Sequence, residues 1–295
     1  MYLYRFLFFI AALILSLPTL KSQGCSDAGV CSIHAYHGSA ENKESRSSLE
    51  LSLSQTAELG EKGTLYFHSI VGVTWSKGRF NHRVMVPYRV MVYDGGGYSG
   101  ISDLTISSTF RWSEKWRSTV GMKLPPNSAN NTGRNREPLP MALQASLGTY
   151  DFLASVTFSS NQWQVSGGWQ HPFGENDNAF VPNGQFPDFT TSVNLDRGDD
   201  VMIRADRFLQ RPNGHWQLAL VNVYRLSEDK ADGQSIDGSK GLSMNVYAAK
   251  YWHYPKGSDL KLAAAIPLVV RQVRPDGLTR SFIISLTWSG IFTKP

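Results

Sequence analysis

The residues whose types could bind a metal ion lie close together near the start of the chain, in the stretch GCSDAGVCSIHAYH. Cys25, Cys31, His34 and His37 supply thiol and imidazole groups, which bind Zn²⁺ and softer metals. The gap between the two cysteines is longer than zinc sites usually have, and two cysteines this close in an exported protein more commonly form a disulfide. The sequence therefore favours a Cys25–Cys31 disulfide, with a metal site at these four residues as the alternative.

Residues suited to acid–base catalysis are also present, but they do not form a recognisable motif. Asp103, Asp206, His171, His215 and His253 could each contribute to a Ser-His-Asp set. A hydrolase of that kind commonly carries its nucleophile in a Gly-x-Ser-x-Gly turn, and the sequence contains no such turn. We therefore predict that the protein is not an enzyme and has no cofactor.

These residues must be positioned by segments in which polar and apolar side chains alternate. Apolar residues occupy most of the alternate positions of segments such as 84–92, 104–112 and 282–292. A period of two is typical of β-strands, and no window shows a helical apolar stripe. Roughly 12 such segments follow one another without an internal repeat or linker. The sequence predicts one all-β domain over residues 47–295.

The start of the chain predicts export. Residues 1–23 contain Arg5, then the apolar run FLFFIAALILSL, then Pro18 and small polar residues. This is the pattern of a secretory signal peptide, since the run is too short for a spanning helix. Residues 24–46 then form a separate N-terminal segment that carries the cysteines. The net charge of +5 is scattered, and no basic run exceeds two residues, which excludes a nucleic-acid-binding class.

Several features favour a membrane barrel over a soluble β-sandwich as the way to cover the apolar faces. The segments are about 10–12 residues long, which matches the length a tilted strand needs to cross a bilayer. Aromatic residues such as Trp75, Trp112 and Trp216 lie near segment ends, as an interfacial girdle requires. Pro87 and Pro267 lie within predicted strands and predict kinks or gaps, because proline has no N–H to donate.

The connections between segments differ strongly in length. The stretches 125–140, 174–188 and 227–241 are rich in Asn, Gly, Asp and Pro, whereas turns such as 60–63 and 213–214 are short. Long loops at one end and short turns at the other are typical of outer-membrane barrels. The sequence therefore predicts a single transmembrane antiparallel β-barrel of about 12 strands.

Several motifs in order along the chain resemble one family of such barrels. They are VPYRV (86–90), GYSGISDLTISSTFRW (97–112), TVGMKLPPN (119–127), SLGTYDFLASVTFSS (146–160) and IPLVVRQVRPDG (266–277). Together they resemble outer-membrane barrels of the phenol meta-degradation pathway, which are related to the long-chain fatty-acid outer-membrane transporter. The resemblance implies a turn into a strand at Gly100 and Asp103, and an N-terminal segment that plugs the lumen.

The predicted function is an outer-membrane channel or diffusion-type transporter for small, rather apolar molecules. The charged residues expected to line its lumen are Arg89, Asp103, Arg111, Arg204, Asp206 and Arg225. The alternative for these residues is that they pair with one another only to satisfy a polar interior. Two other functions stay open, namely metal-linked uptake or sensing through the N-terminal cysteines and histidines, and partner binding by a soluble secreted β-sandwich. The expected partners are outer-membrane lipid, a small solute and the barrel assembly machinery.

Overall fold

The computed structural model describes residues 47–94, 96–133, 136–255, 257–277 and 280–293. The predicted signal peptide (1–23) and N-terminal segment (24–46) lie outside these ranges. The predictions for Cys25, Cys31, His34 and His37 therefore stay predictions.

The described chain is built almost entirely of antiparallel β-strands. They are β1 (Ser48–Gly60), β2 (Leu65–Lys77), β3 (Phe80–Tyr93), β4 (Gly96–Ile101), β5 (Leu104–Arg111), β6 (Trp116–Leu124), β7 (Tyr150–Ser160), β8 (Trp163–Phe173), β9 (Asp200–Arg211), β10 (Gly214–Arg225), β11 (Lys230–Ala231), β12 (Gln234–Ser235), β13 (Gly241–Tyr254), β14 (Ser258–Val269) and β15 (Arg280–Thr293). Two 3₁₀ turns, Glu61–Gly63 and Met141–Leu143, are the only helical pieces among these residues.

The strands close into a barrel. β1 pairs with β15 along its whole length, with Leu53 opposite Trp288, and every other wall strand pairs with its neighbours in sequence order. β4 and β5 both pair with β3, so they are two halves of one wall strand. This gives 12 strand positions and leaves β11 and β12 as a small hairpin outside the wall. The predicted barrel is confirmed, and the alternative of a β-sandwich with two facing sheets is wrong.

Proline positions mark the irregular parts of the wall, as the sequence predicted. The wall strand is interrupted at Ser102 and Asp103, where the Ser102 N–H donates to the Pro87 carbonyl at 2.8 Å. Pro267 lies at a register shift, where Asn245 pairs with Pro267 but Met244 pairs with Val269. A missing proline N–H is thus accommodated at a break and at a bulge.

The two ends of the barrel differ. Ser48 and Thr293, the outer ends of the closing strands, lie at one end together with turns of two to four residues, and we call this the terminal end. The connections 125–149, 174–199, 226–240 and 270–279 all lie at the opposite end, which we call the loop end. In outer-membrane barrels the long loops are extracellular and the short turns periplasmic. The loop end is therefore the extracellular one.

Burial alternates along the strands, and the apolar side chains point outwards. On β1 and β2, Leu51, Leu53 and Val71 are exposed, whereas Glu58 and His68 are buried. A soluble protein would hide such a belt, because exposed apolar surface this extensive is rare in water. The belt instead faces hydrocarbon, and closure of the wall pairs each wall strand with its neighbours.

Candidate functional site in the barrel interior

Exposed aromatic residues form a girdle around the terminal end of the wall. Its members with strongly exposed rings are Trp75, Trp112, Trp116, Trp163, Trp216 and Tyr254. Cations accompany two of them, since Arg207 lies 4.9 Å from the Trp163 ring centre and Lys250 lies 5.6 Å from that of Trp216. Such pairs are typical of a membrane–water interface. The girdle thus sets one boundary of the bilayer around the interior site.

Tyr93 and Tyr251, which also lie near strand ends, point inwards instead. Tyr251 is buried and stacks on His215, while Tyr93 packs edge-on against Phe189. Their position near a strand end does not distinguish these two tyrosines from the girdle residues. Only the register of each strand determines whether a side chain lies on the inner or the outer face.

The middle of the interior carries a buried hydrogen-bond ladder across three strands. Arg204 donates from Nε at 2.9 Å and from Nη2 at 2.7 Å to the Asp206 carboxylate, two residues along β9 on the same face. Gln217 on β10 donates to Asp206 at 2.7 Å and accepts from the Tyr251 hydroxyl on β13 at 3.0 Å. The Arg204 guanidinium also lies 5.0 Å from the Tyr247 ring centre. Arg204 and Asp206 therefore neutralise each other inside the wall.

Arg225 is the centre of a larger charge cluster at the loop end. It donates to Asp200 from Nε at 2.8 Å and from Nη2 at 2.9 Å, and it also donates to Asp229. Asp276 accepts from Arg225 at 3.1 Å and from Arg271 at 3.0 Å. We call these five residues the loop cluster. It joins the wall strands β9 and β10 to the loops 226–240 and 270–279.

The two carboxylates of the loop cluster that lie outside the strands, Asp229 and Asp276, have pKa values shifted in opposite directions. Burial raises the pKa of Asp229, although Arg225 and Arg271 oppose the effect. Burial also acts to raise the pKa of Asp276, but its two guanidinium partners outweigh it and hold that pKa well below the usual value. Asp276 is thus the carboxylate that stays ionised most readily.

Asp103 anchors the loop 125–149 at the break in the wall. Its Oδ1 atom accepts from the Ser146 hydroxyl and from the Leu147 N–H at 3.2 Å, and its Oδ2 atom lies 3.5 Å from Lys123 Nζ. A buried carboxylate with three donors fixes the backbone around it. The turn predicted at Gly100 and Asp103 is instead a break within one wall strand, with Gly100 inside β4, and the Asp103 side chain holds a loop.

A second ion pair fixes the loop 174–199 to the wall. Arg197 donates from Nη2 to Asp151 on β7 at 2.6 Å and to the Thr149 hydroxyl at 2.6 Å. Gln170 on β8 donates to the other Asp151 oxygen at 2.6 Å. All of these side chains are buried. No sequence pattern indicates this pair, because its members lie 46 residues apart in the chain.

The two remaining predicted lumen residues lie on the inner face of the wall. Arg89 on β3 is buried and donates to the Gln144 carbonyl at 3.5 Å, so it also contacts the loop 125–149. Arg111 is half-buried at the terminal end of β5, and its backbone N–H donates to the Arg79 carbonyl at 2.9 Å.

One strip of the inner face is apolar. Leu153 on β7, Met202 on β9, and Ala219, Val221 and Val223 on β10 are all buried and form one cluster. They occupy inward positions of their strands, since their sequence neighbours Val201 and Leu220 are on the outer face. The interior of a water-filled porin is polar. We call these five residues the inner strip.

A second apolar cluster lies at the loop end. Phe180, Phe186 and Phe189 from the loop 174–199 pack with Tyr66 and Met91 of the wall. The Phe186 and Phe189 rings meet edge-on with centres 6.0 Å apart. These rings therefore pack at the loop end against inward-facing side chains of β2 and β3.

Two histidines and an aspartate form a chain of contacts at the terminal end. His253 Nδ1 lies 2.8 Å from Asp259 Oδ1, and His253 Nε2 lies 3.1 Å from His215 Nδ1. His171, which the sequence also offered as a catalytic residue, pairs with Asp199 at the loop end instead. In the described part of the chain no serine or threonine hydroxyl is hydrogen-bonded to any of these rings. A Ser-His-Asp set is thus not formed by them.

A concave region lies on the outer face of the wall. It measures about 540 Å³ and extends over β2, β3, β5, β6 and β7. Most of its lining side chains, such as Val73, Ile106 and Val120, belong to the exposed outer face. This groove is therefore a space for acyl chains of the surrounding lipid.

Comparison with known proteins gives the fold of the chain a context. No family model and no curated protein sequence matches the chain. No helix among the described residues is long and apolar enough to span a bilayer. Among solved structures, the chain is similar to the COG4313 outer membrane channel from Pseudomonas putida F1, with a TM-score of 0.60 and 13% identity over 87% of this chain and 99% of that one.

Two weaker similarities are with other barrels. The translocator domain of the autotransporter NalP from Neisseria meningitidis has a TM-score of 0.47 and 7% identity, covering 90% of this chain and 93% of that one. The CymD monoaromatic hydrocarbon channel has a TM-score of 0.40 and 7% identity, covering 85% of this chain and 90% of that one. With its apolar belt and closed wall, the chain is a 12-stranded β-barrel of the cell outer membrane that has the fold of an outer-membrane channel.

Proposed function

We propose that this protein is an outer-membrane channel or diffusion-type transporter for small, rather apolar molecules. The observation that carries the proposal is the inner strip, which includes Met202 and Val221 on the inward faces of β9 and β10. An apolar solute gains about 25 cal/mol per Å² of its surface removed from water, so such a surface favours it over ions. The Arg204–Asp206 pair beside the strip is neutral as a unit and adds no net charge to repel such a solute.

The six predicted lumen residues take different roles in this proposal. Asp103 and Arg225 hold loops and act as structural residues. Arg204 and Asp206 form the polar edge of the path, and Arg89 fixes the loop that covers it. Arg111 is the residue best placed to contact a solute near the periplasmic exit, and its inward position on β5 supports this role.

The solute preference can be tested with purified protein in liposomes. Flux of a small apolar dye and swelling in a small sugar are measured for the wild type and for the double variant Met202→Gln/Val221→Thr. These changes nearly conserve volume but place polar atoms on the inner strip, so dye flux should fall several-fold while the barrel still forms. The control Val201→Thr makes the same chemical change on the outer face of β9 and should leave flux unchanged.

The predicted plug requires its own measurement. Flux with and without residues 25–45 tests whether the N-terminal segment limits entry, and the expected result is faster flux in the shortened protein. If neither form passes dye or sugar, the channel proposal is wrong.

A substitution of the exposed Phe292 on β15 tests the proposed recognition of this strand by the barrel assembly machinery, and the measurement is the rate of barrel assembly in cells.

A further inference from the structure

The strongest cluster outside the proposed solute path is formed by His215, His253 and Asp259 at the periplasmic end. His215 is the second residue of β10, His253 lies near the end of β13, and Asp259 is the second residue of β14. The three side chains therefore converge from three adjacent strands whose pairing is fixed by the wall. The sequence separates them by up to 44 positions and gives no metal-ligand spacing.

Two imidazole nitrogens face each other in this cluster. His215 Nδ1 and His253 Nε2 are 3.1 Å apart. Two ligands that each lie about 2.0–2.1 Å from one tetrahedral ion are separated by about 3.3 Å. An ion could thus replace the proton that the two rings share, with a movement of a few tenths of an ångström.

The far side of His253 is arranged as it is in metal sites. Its Nδ1 atom lies 2.8 Å from the Asp259 carboxylate, so Nδ1 carries the proton and the lone pair of Nε2 points towards His215. Histidines that bind metal ions almost always donate their other N–H to a carboxylate or carbonyl, which orients the ring and makes it more basic. Asp259 has this orienting role here.

His215 is held in a way that permits the required adjustment. Its ring stacks on Tyr251 with centres 4.3 Å apart and planes at 15°, and Phe208 contacts it edge-on. Its Nε2 atom is buried and has no hydrogen-bond partner among the described residues. A stacked ring without a bond at its far nitrogen can turn within its own plane and keep its stacking contact.

We propose that His215 and His253 bind a divalent transition-metal ion, of the class of Zn²⁺, Ni²⁺ or Cu²⁺, at the periplasmic end of the barrel. Imidazole nitrogen suits these ions, whereas Mg²⁺ and Ca²⁺ require oxygen. The described residues contain no cluster of three or more histidine, cysteine, aspartate or glutamate side chains suited to a metal. Water or a solute therefore occupies the other positions of the ion.

The test is calorimetric titration of the purified, tag-free mature protein with Zn²⁺. We expect one ion per chain with an affinity in the micromolar range. His253→Gln and His215→Phe should abolish this binding, and Asp259→Asn should weaken it about 10- to 100-fold through loss of the orienting carboxylate. His215→Phe retains an aromatic ring for Tyr251, and heat-modifiable gel migration shows that each variant is folded.

Two controls separate this site from other histidines. His171→Gln removes a histidine–aspartate pair at the loop end and should leave binding unchanged. The double variant His34→Gln/His37→Gln tests the N-terminal segment in the same way. The proposal is overturned if wild-type affinity is weaker than millimolar, if His253→Gln binds as tightly as the wild type, or if only the N-terminal variant loses binding. In Cu²⁺ electron paramagnetic resonance, nitrogen coupling from two imidazoles should appear in the wild type and be absent in either single variant.

Discussion

Replacement of Asp276 by asparagine should release the extracellular loops that the loop cluster holds. The carboxylate accepts from Arg225 at 3.1 Å and from Arg271 at 3.0 Å, and all three side chains are buried. Asparagine has almost the same shape, so the change removes charge with little change in volume. It leaves two guanidinium groups with one fewer carboxylate between them.

The size of the effect follows from the burial. Removal of one partner from a buried ion pair costs about 3–5 kcal/mol, because the remaining charge is left in a medium of low polarity. If that cost falls on the closed loops, the open population rises by a factor of about 100 or more. Cleavage after the buried Arg271 needs the open form, and its rate follows the open population when loop motion is fast.

The assay is trypsin cleavage at Arg271 on intact cells, where only the extracellular side is accessible. The control Asp196→Asn makes the same change in an exposed pair, in which Lys230 Nζ lies 4.0 Å from the carboxylate. Such a surface pair contributes about 0–1 kcal/mol, so its loss should change the rate less than about fivefold. Equal cleavage of Asp276→Asn and Asp196→Asn would refute the assignment of loop closure to the loop cluster.

Three further outcomes are expected. Asp103→Asn should expose the loop 125–149 to protease, because it weakens charge-assisted hydrogen bonds worth about 1.5–3 kcal/mol each. Gly148→Ala should lower the temperature at which the folded gel band is lost, since φ is +78° and a Cβ atom would lie 2.6 Å from the Ser128 carbonyl. On acidification, Asp229 gains a proton first, because its pKa is raised. Asp276 has a lowered pKa, so it stabilises the closed loops above pH 3.8 and loses this effect only below that pH. Conductance should therefore stay constant down to about pH 4 and rise below it, and a rise near pH 6 would contradict this reasoning.

The wall of the barrel could be predicted from the sequence because one physical rule governs it. Strand side chains alternate between two faces, so the run that includes Leu51 and Leu53 on β1 already shows which residues face lipid. From the end of β5 onwards, long polar loops alternate with short turns, and this places the four long loops at one end. The positions of Pro87 and Pro267 also predicted where strand pairing is irregular, because the missing N–H of a proline disturbs the pairing at that residue.

The contents of the interior could not be predicted in the same way. The partners of Arg225 lie up to 51 residues away, and their meeting depends on how loops fold back into the barrel. His215 and His253 meet because β10 pairs with β13 in one particular register. Period-two patterns identify a face but not the height of a residue on the wall, and a shift of register would bring different side chains together.

The paired charges of the interior have different roles at the loop end and in the middle of the wall. At the loop end, Asp103 and Arg225 connect wall to loop, so their pairing closes the extracellular side. In the middle of the wall, Arg204 and Asp206 lie on the same strand and hold no loop. An ion pair within one strand needs no loop to satisfy it, so the loops can open while the middle of the wall keeps its charge balance. Opening of the loop end would therefore expose the inner strip beside a polar edge that is already neutralised, which is the surface that a weakly polar solute requires.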